Sequence, residues 1–260
     1  MKPPLLDFRR VSVMRGSTLA LQDLDLRIQS GEHVALLGPN GSGKSTLIKT
    51  ITRECYPLRR PGTSLSILGN ESWDVFALRR RLGIVTPDLF SRYPAGVTGK
   101  EAVLSGFFST AGLSWVRQSV TAEMTAGAEA ALSRLEATAL ADRPVSEMSS
   151  GELRRIGVAR ALVHEPAALL LDEPSTNLDL FAQQELRRSL RSLAQSGTGL
   201  ILVTHHLSDI IPEVERVVLL GNGRIVGDGP KEQMLRPERL EPLFGVPVEI
   251  TTRDGYYHAW

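Results

Sequence analysis

Two stretches near the start of the chain alternate apolar and polar side chains with a period of two. They are "LLDFRRVSV" from Leu5 and "LALQDLDLRI" from Leu19, and this period predicts half-buried β-strands. Residues 1–30 therefore read as an antiparallel β region. A different pattern begins at "HVALLG", a short unbroken apolar run that ends in glycines and opens a helical pattern. This is strand, Gly-rich turn, helix. Further short runs follow at "SLSILG", "RLGIV", "AALLLDE", "GLILVTH" and "RVVLLGNGRIVGDG", separated by helical spacing; the most apolar of them predict buried parallel strands. Between about Thr98 and Val145 the strand signal gives way to Ala, Leu, Glu and Ser, as in "AEMTAGAEAALSRLEATALA", which predicts an inserted helical subdomain. The last segment, "VEITTRDGYYHAW", places Asp-Gly between β-forming residues and predicts a terminal hairpin.

The expected fold is α/β, one domain over 1–260. Residues 31–90 and 147–230 would form the core, 91–146 the helical subdomain, and 231–260 a C-terminal helix and hairpin. No apolar run approaches the roughly 20 residues that span a bilayer, and "MKPPLLDFRRVS" lacks the features of a secretory signal. The charge is nearly balanced, with 30 Lys and Arg against 29 Asp and Glu, so there is no basic field for generic nucleic-acid or anionic-membrane binding. The single cysteine, Cys55, cannot form an internal disulfide.

Candidate chemistry starts with "GPNGSGKST", which is Gly38, Pro39, Asn40, Gly41, Ser42, Gly43, Lys44, Ser45 and Thr46. It matches the phosphate-loop pattern G-x-x-x-x-G-K-[ST] directly after an apolar strand. Glycines there let the backbone N–H groups converge on phosphate oxygens, and the next helix adds its positive N-terminal end. Lys44 would reach the terminal phosphates of a nucleoside triphosphate, and Ser45 would offer its hydroxyl to the accompanying Mg²⁺. A second candidate closes "AALLLDEP". Adjacent strand residues point oppositely, so Asp172 can hold Mg²⁺ while Glu173 orients and deprotonates an attacking water. Alone, the pair would equally suit a solvated strand end. The third, "GLILVTHH", delivers His205 and His206 to the carboxyl end of a buried strand, where open α/β sheets bind ligands. His205 is the candidate γ-phosphate contact.

A stretch with no chemistry of its own, "MSSGELRR", opens a helical pattern, and by itself Ser149 with Glu152 reads as an ordinary N-cap. Taken with the three motifs, it makes nearly the whole chain resemble the ATP-binding cassette (ABC) ATPases. The resemblance implies ATP and Mg²⁺ as cofactors and a homodimer in the ATP-bound state. In that dimer Ser149, Ser150, Gly151 and Glu152 form the signature that completes the nucleotide site of the opposite copy. It also implies that Asp179, ending "STNLD", lies in the loop through which the two sites communicate. The helical insert would receive an integral-membrane permease, which places the chain at the cytoplasmic face of a membrane.

Two positions depart from the family. Where it has a glutamine joining core and helical subdomain, this chain has Pro87, which lacks an amide for Mg²⁺ or water; Asp88 is the candidate substitute. Where an aromatic stacks on adenine, this chain has Arg15, whose guanidinium plane can stack on a base or simply be solvated. "RECYP", "VLSGFFSTAGL" and "GIVTPDL" also resemble the molybdate-associated ATP-binding proteins. Two functions follow: the energising subunit of a membrane transporter, or a soluble ABC ATPase acting on ribosomes or nucleic acid. The near-neutral charge and the single cassette favour the first.

Overall fold

The computed structural model describes residues 3–113, 116 and 119–260. Two long strands open the chain, β1 (Leu6–Arg15) and β2 (Thr18–Ile28), paired antiparallel from Leu6↔Ile28 to Arg15↔Thr18. Next come β3 (His33–Leu37), the Gly-rich loop and helix α1 (Lys44–Ile51). The short run at Ser64 forms β4 (Ser64–Ile67), which pairs antiparallel with β1. It is therefore not one of the parallel strands, and the antiparallel sheet takes in a strand from well beyond residue 30. Leu65 and Ile67 face the core and the serines beside them do not, as expected for a strand covered on one face.

Helix α2 (Val75–Arg81) leads into β5 (Leu82–Val85), and helices α3 (Gly99–Leu104), α4 (Ala122–Arg134) and α5 (Ser150–Leu162) follow. The chain continues through β6 (Ala168–Asp172), α6 (Leu180–Gln195) and β7 (Gly199–Thr204). After these come β8 (Arg216–Gly221), β9 (Arg224–Pro230), the short helices α7 (Lys231–Met234) and α8 (Pro237–Phe244), and the hairpin β10 (Ile250–Arg253) and β11 (Tyr256–Ala259). The sheet is mixed with flanking helices, and the N-terminal antiparallel sheet is separate from it.

The chain divides into two compact units, Met1–Leu78 with Gly199–Trp260, and Arg79–Thr198. In the first unit β3 lies between β7 and β8, parallel to both, and β9 turns back antiparallel on β8. Val34–Leu37 and Leu200–Val203 are fully buried, as expected for parallel strands covered on both faces. Each such side chain contributes about 1.5–3 kcal/mol relative to leaving it exposed. Arg216 fastens the base of this sheet: its guanidinium binds both oxygens of Asp228 at 2.6 and 2.7 Å, Glu32 at 2.9 Å and the Arg27 carbonyl at 2.9 Å. Those acceptors hold its proton more tightly than usual.

In the second unit β5 and β6 pair in parallel, and Leu169–Leu171 are fully buried. Gly83 lets β5 come close to its neighbours, because a Cβ there would stand 2.4 Å from Leu169 Cδ2 and 2.7 Å from the Ala161 carbonyl. Helices α3, α4 and α5 pack on one another. Buried Ser105, just after α3, joins α3 to α5: its hydroxyl meets Tyr93 Oη at 2.9 Å and Arg160 Nε at 3.2 Å. No helix among the described residues is long and apolar enough to cross a membrane.

Candidate functional site

In the first unit, the loop between β3 and α1 is bent into a form that only glycine fits. Gly41 and Gly43 have φ of +80° and +108°, and a Cβ on Gly43 would lie 2.9 Å from both the Ala20 carbonyl and Leu21 Cδ2. A Cβ on Gly38 would lie 2.2 Å from the Leu220 carbonyl. The loop is pinned on both sides: the Gly38 N–H donates to the Thr204 carbonyl at 3.3 Å, and the Gly223 N–H to the Ser42 carbonyl at 2.9 Å. Lys44 is buried, and its ammonium lies across the loop, 2.7 Å from the Gly38 carbonyl and 3.1 Å from that of Pro39.

This cradle suits a phosphate. Gly43 caps α1 with no side-chain acceptor, and the helix dipole adds positive potential there. The Ser42 hydroxyl is 3 % exposed and has no hydrogen-bond partner among the described residues, a buried donor directed into the loop. Ser45 is exposed at the start of α1, whereas Thr46 is buried, so the hydroxyl available to a cation is that of Ser45.

His205 and His206 follow β7. His205 is half-buried and His206 exposed, with ring centroids 3.8 Å apart and planes tilted by 41°. Arg15 is exposed where β1 turns into β2, so its guanidinium is accessible.

In the second unit, β6 ends at Asp172, and Glu173 takes a left-handed backbone with φ of +45°. A non-glycine residue held there carries backbone strain of order 1 kcal/mol, a feature found at sites where side-chain direction matters. Nothing in the sequence signals it. Both carboxylates are half-buried.

The stretch that opens α5 forms a complete capping box. The Ser149 hydroxyl accepts from the Glu152 N–H at 3.3 Å, and the Glu152 carboxylate accepts from the Ser149 N–H at 2.7 Å. That backbone N–H, with help from Arg143 at 2.8 Å, holds the Glu152 carboxyl below its ordinary range. Gly151 has a packing reason: a Cβ there would sit 2.6 Å from Ala182 Cβ on α6. Ser150 donates its hydroxyl to the Asn177 carbonyl at 2.9 Å, and Asn177 is itself left-handed, with φ of +63°. Asp179 caps α6 by accepting from the Ala182 N–H at 2.8 Å. The second unit thus brings the ends of α5 and α6 together through Ser150, Gly151, Asn177 and Ala182. Of these, Asn177 lies within the quoted "STNLD", whereas Ala182 had no signal in the sequence.

Pro87 and Asp88 are both exposed, and Asp88 makes no side-chain cap for the turn that follows. Pro87 lines a cavity of about 540 Å³ with Leu89, Phe90, Tyr93, Met148 and Arg154.

Residues 21–176 match the protein family described as ABC transporter. The chain is similar to the hemin import ATP-binding protein HmuV of Rhodococcus jostii, at 30% identity over 92% of this chain and 80% of that protein. It is also similar to the cobalt import ATP-binding protein CbiO of Rhodobacter capsulatus, at 34% identity over 85% of this chain and 76% of that one. Among solved structures it resembles cbiO1 from Clostridium perfringens, part of the ABC transporter complex cbiONQ, with a TM-score of 0.73 and 25% identity, covering 94% of this chain and 100% of that one.

Proposed function

This chain belongs to the ABC transporter family and is an ATPase; from that premise we propose that it energises an import-type transporter, as two copies bound to a membrane permease on the cytoplasmic face. The observation that carries the reading is the phosphate cradle, in which Gly38 and Gly43 admit no side chain, Ser42 is buried and the Lys44 ammonium lies across the loop.

In the proposed reaction the loop and Lys44 hold the β- and γ-phosphates of ATP. Ser45 and Asp172 would hold Mg²⁺, which when bound neutralises charge on the phosphate oxygens. Glu173 takes a proton from water as the water oxygen bonds to the γ-phosphorus; the bond to the β–γ bridging oxygen breaks, and ADP leaves. His205 and Ser150 of a second copy donate to the γ-phosphate oxygens, where charge builds. Pairing of two copies is supported by an apolar pair beside the signature. Leu180 and Phe181, on the first turn of α6, are 78% and 73% exposed. In this reading Arg15, exposed after β1, stacks on adenine, and Asp88 takes the role of the family's glutamine.

The relatives named above are a hemin import and a cobalt import ATP-binding protein, and in the proposed transporter the cargo is selected by the permease rather than by this chain. The soluble reading on ribosomes or nucleic acid is not favoured, because relatives covering most of this chain are import subunits and its charge is balanced. Affinity purification from native cells in gentle detergent tests the choice. A multi-helix membrane protein recovered in near-equal amount is the expected result; ribosomes or nucleic acid alone would reverse it.

A further inference from the structure

Thr204, the last residue of β7, is fully buried and makes bonds in two directions. Its carbonyl accepts from the Gly38 N–H at 3.3 Å, at the mouth of the phosphate loop. Its hydroxyl donates to Asp209 Oδ2 at 2.5 Å and accepts from the His206 N–H at 3.0 Å. Asp209 is 2 % exposed, and its own N–H donates back to the His206 carbonyl at 3.2 Å. The five-residue excursion after β7 is therefore closed by a side-chain triangle, and His205 is the residue that the triangle straddles. Strand β11 lies against the Leu207–Asp209 turn, and a Cβ on Gly255 would press on Pro212 at 3.1 Å, so the terminal hairpin packs over this part of the chain.

A carboxylate this buried is costly unless it serves its neighbours, and a hydroxyl that both donates and accepts fixes the direction of each bond. We propose that Thr204 and Asp209 are positioning residues for His205: Thr204 sets the turn in register with the phosphate loop, and Asp209 locks the Thr204 hydroxyl so that the imidazole keeps one direction. The inference rests on the reading of His205 as a γ-phosphate contact. It adds that the histidine's precision comes from a pair buried behind it.

The test is ATP turnover with kcat and KM separated, alongside thermal unfolding. Thr204→Val keeps the volume and removes the hydroxyl. Misplacing a reacting group by about 1 Å can cost on the order of a hundredfold in rate, so kcat should fall at least about tenfold. KM for ATP should stay within about twofold, because the phosphate loop is intact. Thr204→Ser should restore turnover. Thr204→Val leaves both the Asp209 carboxylate and the His206 N–H without their partner and lowers the melting midpoint; Thr204→Val with Asp209→Ala removes the buried carboxylate and should recover part of the midpoint but not kcat. If that double variant recovers turnover together with stability, the pair is merely structural and the inference fails. His205→Ala separates the two levels. If it is inactive while Thr204→Val turns over normally, the positioning role alone is overturned; if it is active, the reading of His205 falls first. In the His205→Ala background, Thr204→Val should change nothing further.

Discussion

Replacing Gly151 by alanine asks whether the glycine of the α5 signature is there for packing. The new Cβ would meet Ala182 Cβ at 2.6 Å, against an optimal carbon–carbon separation of about 3.5–4.0 Å, so the ends of α5 and α6 must part by roughly 1 Å. Overpacking of this kind costs about 1–3 kcal/mol, offset by at most about 1 kcal/mol from the better helix propensity of alanine. The net loss is about 1 kcal/mol, or a melting midpoint lower by roughly 2–4 °C for a chain of this size. Ala182→Gly removes the opposing carbon, so a double-mutant cycle in urea should return a favourable coupling of about 1 kcal/mol between the two substitutions. ATP turnover, lowered in Gly151→Ala because the neighbouring Ser150 moves with the helix start, should recover in the pair. A Gly151→Ala protein as stable as the parent, or a loss that Ala182→Gly leaves uncorrected, would refute the packing argument.

Four other outcomes are expected. Lys44→Ala should abolish nucleotide binding by calorimetry, since it removes the cation of the cradle; unchanged binding would remove the phosphate-loop assignment. Glu173→Gln should bind ATP, lose most turnover and elute as a dimer on a sizing column with ATP, and adding Phe181→Ser should return it to monomer if that exposed ring lies between copies. Ser149→Ala should cost about 1 kcal/mol as a lost N-cap. The Glu152 carboxyl is held below its ordinary range, chiefly by the Ser149 N–H, so its stabilisation is present above the unfolded carboxylate range and lost as pH falls through the lower folded value. Glu152→Gln should therefore flatten the acid side of a stability–pH curve, and an unchanged acid limb would contradict this.

The phosphate loop was legible because its chemistry is local: nine consecutive residues after an apolar strand suffice to state the glycines, the lysine and the helix behind them. The parallel strands were legible for the same reason, since burial on both faces leaves an unbroken apolar run such as Leu169–Leu171. Strand pairing was not. Ser64–Ile67 carries the same short signature as the other strands, yet it pairs with β1, because a strand's partner is set by register and by which face finds cover rather than by its own residues. The positive φ of Glu173, the contact of Ser150 with Asn177 and the approach of Gly151 to Ala182 likewise join parts of the chain that no local pattern relates. Thr204 and Asp209 were invisible for the opposite reason. Each is an unremarked polar residue in the sequence, and only the closing of the turn after β7 buries both and makes one residue serve the phosphate loop through its carbonyl and the histidine turn through its hydroxyl. Local sequence determines which groups are available and which segments are strands or helices; the tertiary fold decides which of them are desolvated side by side, and it is desolvation that gives a hydrogen bond the stiffness to aim a side chain.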